Sequence, residues 1–521
     1  MTHPFRILTA VGCLSASLLF AEAPPPNGDK PPEKPNKEKE APAKEKETHD
    51  KGKDEAFAKP QTKVTTHTIK IGDRELQYTA TVGMMPLYSP DGPPKAKIFY
   101  TAYTLDGAGD PAKRPVTFLF NGGPGSSSVW LHMGAFGPRR IQFPGNGTTA
   151  PEPPFQLVDN QETLLGLTDM VYIDPVSTGF SRAEKPDDAK QFHGLEGDAK
   201  SVADFIRLYV TRNQRWSSPK YLAGESYGVV RACATANILQ KSHSMYPNGL
   251  ILLSGLLDFS TLRSGNLNDL PYLVYLPTYT SVAAYHHKLS PELQATPDKA
   301  REEAKAFAFG DYAKALLAGE SLSPAEKDKT AATLSRLTGL PKDLILKVRL
   351  RIDPGFFRKK LLQAEGLQLG RFDARVTAPV TDSLGNEAEL DPSHTNVVGC
   401  FGGAINDYLR RELQCESDVP YDLLARVGAW PYRSENSYPS VMDDLSQALQ
   451  ENTHLRAIFL CGHCDTATPA EAMVYSINHL VLPSGATARF KTEFYDAGHM
   501  MYLNPPDRVK LLHDLEAFYK K

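Results

Sequence analysis

Polar and apolar residues alternate along 66–71 (THTIKI) and again along 76–82, and 97–105 (KIFYTAYTL) is rich in β-branched and aromatic residues. This pattern predicts half-buried strands, and Gly72-Asp73 supplies a hairpin turn between the first two. Residues 65–105 are therefore expected to open the fold as antiparallel strands. Beyond them the pattern changes to short apolar runs separated by helical ones. Residues 116–120 (VTFLF), 170–173, 221–223 and 250–253 predict strands, as do 456–460 and 490–494 late in the chain. Residues 198–210, 471–480 and 506–519 predict helices, and 229–239 is compatible with one. Short apolar strands between amphipathic helices imply an α/β protein with a mostly parallel central sheet covered on both faces. Residues 258–423 break this rhythm. They are mainly helical and charged, as at 297–307 and 342–350, with an aromatic-rich stretch at 270–285. The expectation is a helical insertion, a cap packed over the carboxyl edge of the sheet, between core segments 63–257 and 424–521. The alternative is a separate domain.

Composition changes the picture mainly at the start of the chain. Arg6, an apolar run at 8–20 and the small residues of Ala21-Glu22-Ala23 form an export-signal pattern, with cleavage expected after Ala23. The apolar run is too short to span a bilayer comfortably. An exported protein, periplasmic or secreted, with no stable membrane span after signal removal is therefore expected; a lipid anchor on Cys13 is the weaker alternative. Residues 24–62 are rich in Pro, Lys and Glu and nearly free of large apolar side chains, the composition of a disordered tether. The whole chain has 521 residues, 41% of them hydrophobic, enough for a substantial core in one large domain with an insertion or in two domains. Its formal net charge of −3 gives no basic excess, so no nucleic-acid partner is expected. Five cysteines would remain after signal removal, namely Cys233, Cys400, Cys415, Cys461 and Cys464. An odd number leaves at least one free thiol or an intermolecular bridge, and is not a disulfide scaffold.

The chemistry begins at Gly224-Glu225-Ser226-Tyr227-Gly228, a Gly-x-Ser-x-Gly run between a predicted strand and a helix-compatible segment. That is the setting of a nucleophile elbow, where a tight turn lifts the serine hydroxyl above the sheet. A serine nucleophile needs a base, and the base an orienting acid, in the chain order Ser, Asp, His for an alpha/beta-hydrolase. Asp465 lies in the loop after the strand at 456–460, and His499, preceded by the small Ala497 and Gly498, in the loop after the strand at 490–494. Neighbouring parallel strands would bring both loops to the edge that carries Ser226. The strand at 116–120 leads into Asn121-Gly122-Gly123-Pro124-Gly125, whose glycines let backbone N–H groups face a developing oxyanion. The expected donors are the N–H groups of Gly123 and Tyr227. A phosphate-binding reading of this loop lacks the lysine and Ser/Thr pair of a P-loop.

NGGPGSSS at 121–128, Gly179-Phe180-Ser181 after Asp174-Pro175-Val176, GESYG at 224–228, Gly462 through Asp465, and Gly498-His499-Met500 together resemble the serine carboxypeptidase family. The resemblance spans nearly all of the chain after the tether. It implies an alpha/beta-hydrolase fold with a helical insertion and, as substrates, peptides with a free C-terminus, which lose their terminal residues. It maps the nucleophile to Ser226, the base to His499 and the acid to Asp465. It also maps binding of the substrate's terminal carboxylate to Asn121 and Glu225, with Gly122 beside them, and the wall of the leaving-residue pocket to Met500. No cofactor and no metal are implied. Two departures stand out: Ser126 replaces a family cysteine, removing a disulfide, and Ala135 replaces a glutamate that pairs with the one at Glu225. Two adjacent carboxyls raise one pKa. Without its partner, Glu225 is expected to hold a proton less readily, with altered carboxylate recognition and an optimum less shifted to acid.

Cys461-Gly462-His463-Cys464 has the spacing of a dithiol, but it runs into Asp465 instead of opening a helix. A local disulfide or two packed thiols is the plainer reading. His463 with the two thiols lacks a second ligand cluster, and His286-His287 reads as a polar face of the insertion. The sequence is also compatible with two further functions: an esterase or acyltransferase with the same triad, and an inactive hydrolase fold serving as a binding protein of the cell envelope.

Overall fold

The computed structural model describes residues 62–88, 92–380 and 391–520. The expected export signal, Cys13 and the expected tether up to residue 61 lie outside the described residues. The sheet opens with β1 (Lys63–Ile71), β2 (Arg74–Tyr88) and β3 (Pro94–Leu105). β1 and β2 pair antiparallel down to Ile71 opposite Arg74, around a turn in which Gly72 takes a φ of 57°. This left-handed conformation costs a glycine little. β2 pairs antiparallel with β3 in turn.

The parallel part contains β4 (Val116–Phe120), β5 (Asp169–Ile173), β6 (Lys220–Glu225), β7 (Gly249–Leu253), β8 (Arg456–Gly462) and β9 (Phe490–Tyr495). The order across the ten-stranded sheet is β1-β2-β3-β5-β4-β6-β7-β8-β9, and the short Arg182–Ala183 strand pairs beside β3. β3 meets β5 antiparallel, and every pairing from β5 to β9 is parallel. This is the mostly parallel, alpha/beta-hydrolase architecture expected from the alternation of strands and helices.

The apolar runs are explained by burial on both faces. In β7, Leu250 and Leu252 join one core and Ile251 and Leu253 the opposite one, all four fully buried. The first core is closed by α1 (Leu195–Arg212) and α2 (Tyr227–His243) through residues such as Val202, Phe205 and Val230. The opposite core is closed by residues such as Phe401 and Tyr408 of the helix Pro392–Arg411 and Leu515 of the helix Pro505–Lys520. Truncating one such leucine to alanine costs about 2–5 kcal/mol.

Between β7 and β8 the chain is mainly helical. The helix Leu270–Tyr285, which carries the aromatic-rich stretch, forms a third core with residues such as Leu334 and Phe357. The helix Pro324–Thr338 starts with a Ser323–Glu326 capping box and stops at Gly339, at φ 72°. The helix expected over 342–350 ends at Lys347, because Arg349 and Leu350 turn into the left-handed region at φ 53° and 66°. Among the described residues no helix is long and apolar enough to cross a membrane.

Candidate active site

The parallel register brings five strand ends to one edge. Phe120 pairs with Gly224, Leu253 with both Glu225 and Leu460, and Gly462 with Tyr495. Ser226 follows β6 directly, at φ 63° and ψ −128°, and its N–H donates to Leu253 O at 3.0 Å. A non-glycine residue in that conformation is strained and persists only where its surroundings hold it. The flanking glycines permit it by close approach. A Cβ on Gly224 would lie 2.1 Å from Gly228 O, and one on Gly228 would lie 2.8 Å from Phe120 O. Tyr227 opens α2, so its N–H has no acceptor within the helix.

Asp465 is fully buried. Its Oδ1 accepts from the N–H groups of Ala467 (2.8 Å) and Thr468 (3.0 Å), and its Oδ2 accepts from His499 Nδ1 at 2.7 Å. These bonds hold the carboxylate in one orientation and set the imidazole with its proton on Nδ1. Burial pulls the His499 pKa down, but the facing charges and hydrogen bond of Asp465, with Glu225 behind them, outweigh it and raise the net value. His499 Nε2, on the far side of the ring, is buried and makes no hydrogen bond. Ser226 and His499 line the same open pocket of about 560 Å³, with no hydrogen bond between the serine hydroxyl and Nε2. Such bonds are often long in unliganded enzymes and tighten with substrate.

Across the pocket, Asn121, Gly122 and Gly123 form the loop after β4. A Cβ on Gly122 would fall 2.3 Å from Tyr227 N, so only glycine lets this loop lie against the start of α2. Gly123 has φ 101°, again left-handed. Asn121 is buried, with Oδ1 accepting from Leu131 N–H at 3.0 Å and Nδ2 donating to Glu225 Oε1 at 3.1 Å. The Tyr502 hydroxyl interacts with the same carboxyl, although neither it nor Glu225 Oε2 reaches full hydrogen-bond geometry. Burial pushes the Glu225 pKa up to about 7 against the opposing pull of His499, Tyr502 and Asn121. Burial is a cause that the expectation drawn from Ala135 did not include. The carboxyl holds its proton without a second carboxylate, because desolvation does what a like-charged neighbour would do. Met500 lines the same pocket, half-buried.

Several participants left no signal in the pattern of residues. Thr468 Oγ1 lies 2.7 Å from Asp465 Oδ2 and 2.8 Å from Ser254 O, tying the acid loop to the end of β7. Arg231 of α2, fully buried, donates from Nε to Asp198 Oδ2 at 2.8 Å and from a terminal nitrogen to Asn121 O. It braces the glycine loop from below, and nothing around it in sequence marks it. A strap at 371–374 reaches in from the helical region. Phe372 O accepts the His499 N–H at 2.6 Å, Ala374 N–H donates to Cys464 O at 3.0 Å, and Thr466 Oγ1 donates to Arg371 O at 2.7 Å. His286, read as a polar surface, is half-buried and bonds Ala374 O at 2.7 Å, holding the strap from behind.

At the family's cysteine position, the Ser126 hydroxyl accepts the Trp130 indole N–H at 2.8 Å. Backbone bonds from Ser127 N–H to Leu423 O (3.0 Å) and from Ala425 N–H to Gly125 O (2.8 Å) tie this loop down. All five described cysteines are free thiols. Cys461 and Cys464 are packed and buried, and burial pushes both well up, so the pair is two inert thiols and not a bridge. His463 stacks on Phe494 with ring centroids 5.3 Å apart, and burial pulls it down to about 3.

Comparison with known proteins adds the lineage. The family described as "Serine carboxypeptidase" matches residues 87–295, which contain the glycine loop and Ser226. Serine carboxypeptidase-like 2 of Arabidopsis thaliana is 29% identical over 168 residues, 31% of this chain and 35% of the relative. Serine carboxypeptidase 1 of Hordeum vulgare is 30% identical over 138 residues, 26% of each. The chain thus spans about a third or less of the length of these curated relatives. Among solved structures, Kex1(delta)p, a prohormone-processing carboxypeptidase from Saccharomyces cerevisiae, aligns over 85% of this chain and 91% of its own, at 18% identity and a TM-score of 0.49. The glycine loop and the Gly-x-Ser-x-Gly turn both lie inside the matched region, so over residues 87–295 this chain is similar to the serine carboxypeptidases.

Proposed function

We propose that this chain is a serine-type carboxypeptidase, hydrolysing C-terminal residues from peptides through an acyl-enzyme on Ser226. The observation that carries the reading is the 2.7 Å bond between buried Asp465 and His499, made in the pocket that Ser226 also lines. In this mechanism His499 Nε2 takes the Ser226 proton as the hydroxyl oxygen attacks the scissile carbonyl. Asp465 keeps the imidazole in the required tautomer and stabilises its protonated form. The N–H groups of Gly123 and Tyr227 receive the negative charge that develops on the carbonyl oxygen. His499 then hands its proton to the leaving nitrogen, and water, activated by the same imidazole, releases the acyl group and restores Ser226.

Asn121, Gly122 and Glu225 form the binding side of the pocket, and Met500 faces the leaving residue. A Glu225 carboxyl with a pKa near 7 still carries a proton at mildly acid pH and donates it to a substrate carboxylate. Residues 258–423 act as an insertion that walls the pocket between core segments 63–257 and 424–521. The protein is exported, to the periplasm or beyond, by a signal removed after Ala23; N-terminal sequencing of the mature protein tests that point.

The test of function is direct. Ser226→Ala should abolish labelling by a fluorophosphonate while leaving the thermal unfolding profile near that of the parent. Continued labelling of the variant removes Ser226 from its role. Hydrolysis of acetyl-Phe-Leu well ahead of its C-terminal amide marks a carboxypeptidase; indifference to the free carboxylate favours an esterase or acyltransferase.

A further inference from the structure

The pocket that Asn121 and Glu225 line also holds groups that the chemistry above does not use: Arg371, Phe372 and His394. Arg371 is exposed, and its guanidinium makes no ion pair or side-chain hydrogen bond among the described residues. Its backbone, by contrast, is held at both ends. The N–H donates to Asp391 Oδ1 at 2.9 Å, and the carbonyl accepts from Thr466 Oγ1 at 2.7 Å. Asp391 Oδ1 also takes the Ser393 N–H at 3.0 Å and the Ser393 hydroxyl at 2.5 Å, and neither carboxylate oxygen bonds the guanidinium. The guanidinium lies over the Phe372 ring, 5.0 Å from its centroid, and that ring sits 5.2 Å from His499 and 6.2 Å from His394. His394 Nε2 is buried in the same wall without a partner.

A cation anchored through its main chain, laid on an aromatic face and without an ion-pair partner among the described residues is prepared for an anion. Arginine suits a carboxylate in particular, because its planar fork meets both oxygens. Among the described residues lining the pocket, Arg371 is the one permanently charged cation, and its field reaches His499. A substrate carboxylate entering here meets Glu225, whose ionised form repels it, and a cation lining the same pocket offsets that repulsion.

We propose that Arg371 is a carboxylate-binding residue of this pocket, taking either the main-chain or the side-chain carboxylate of the leaving residue. The proposal rests on the peptidase reading for the identity of its ligand, and its test is a binding measurement that does not require turnover. In a Ser226→Ala background, affinities are measured for acetyl-Phe-Leu (main-chain carboxylate), acetyl-Phe-Glu-amide (side-chain carboxylate) and acetyl-Phe-Leu-amide (neither), with and without Arg371→Gln. Arg371→Gln should weaken one of the two carboxylate ligands by about tenfold or more and leave the neutral amide unchanged. Arg371→Lys should recover part of the loss. Weakening confined to acetyl-Phe-Leu assigns Arg371 to the terminal carboxylate, and weakening confined to acetyl-Phe-Glu-amide assigns it to an acidic side chain. Equal affinities with and without Arg371, equal loss on the neutral amide, or no carboxylate binding by the Ser226→Ala protein overturns the proposal. Failure of the unmodified protein to hydrolyse acetyl-Phe-Leu would instead sink the peptidase reading and leave this comparison standing.

Discussion

The backbone N–H of His499 donates to the carbonyl of Phe372 across 2.6 Å, so the imidazole loop is anchored to a strap from the helical region as well as to its own strand. The approach is close throughout. A Cβ on Gly498 would lie 2.4 Å from Phe372 O and 2.5 Å from Asp373 Cα. Gly498→Ala must therefore push the strap and the His499 loop apart. Overpacking of this kind costs about 1–3 kcal/mol. A displacement of about 1 Å in a catalytic group costs about 10²-fold in rate. The variant is expected to melt lower and to lose about two orders of magnitude in kcat. Unchanged values in both measurements would show that the strap does not position the base.

On the proposed mechanism, Glu225 and His499 set opposite limbs of the pH dependence. His499 must be neutral to accept the serine proton, and Asp465 and Glu225 raise its pKa, so the acid limb of kcat lies above the ordinary imidazole range. On the same proposal, protonated Glu225 donates to a substrate carboxylate, and above about 7 it ionises and repels it. KM for acetyl-Phe-Leu should rise about tenfold between about pH 6 and 8 while KM for the amide stays level. The two limbs together put the best kcat/KM near neutrality. A peak at about pH 4–5 would contradict both assignments.

Stability carries the same signature. The Glu225 pKa in the folded protein, about 7, lies above the ordinary carboxyl value of 4.5. Its contribution is fully present below 4.5 and is lost as pH rises through 7, because the unfolded chain ionises first. Glu225→Gln should therefore gain on the parent by roughly 3 kcal/mol from acid to mildly alkaline pH. Chemical denaturation at about pH 4.5 and 8 reads the difference; parallel pH curves for the two proteins would refute it.

Arg231 and Asp198 form a fully buried pair beneath the glycine loop. Removing one partner strands the other charge, at a cost of about 3–5 kcal/mol, whereas replacing both with apolar residues is often near neutral. Arg231→Met is expected to fall in stability by that amount, and Arg231→Met with Asp198→Leu to recover most of it. Activity should stay reduced in both, since Asn121 O has lost its donor. Full activity in the stable double variant would show that Arg231 serves folding alone.

Short-range order was legible in the chain itself. β4 was read at its observed limits, and the edges of most other strands and helices moved by a few residues, because apolar periodicity and turn glycines act within a few positions of each other. The same local rules marked the strained turn at Ser226 and the glycine loop at 121–125, whose conformations their own residue types dictate. The parallel order then carried the loops of Asp465 and His499 to one edge. Contacts between distant segments were not legible. Thr468 on Asp465, Arg231 under Asn121, and Phe372 on His499 depend on packing between elements remote in sequence, where no spacing rule applies. The state of Glu225 belongs to the same class: a residue type gives a carboxyl, but only the folded interior removes the water that would ionise it, and desolvation took over the role expected of a missing neighbour.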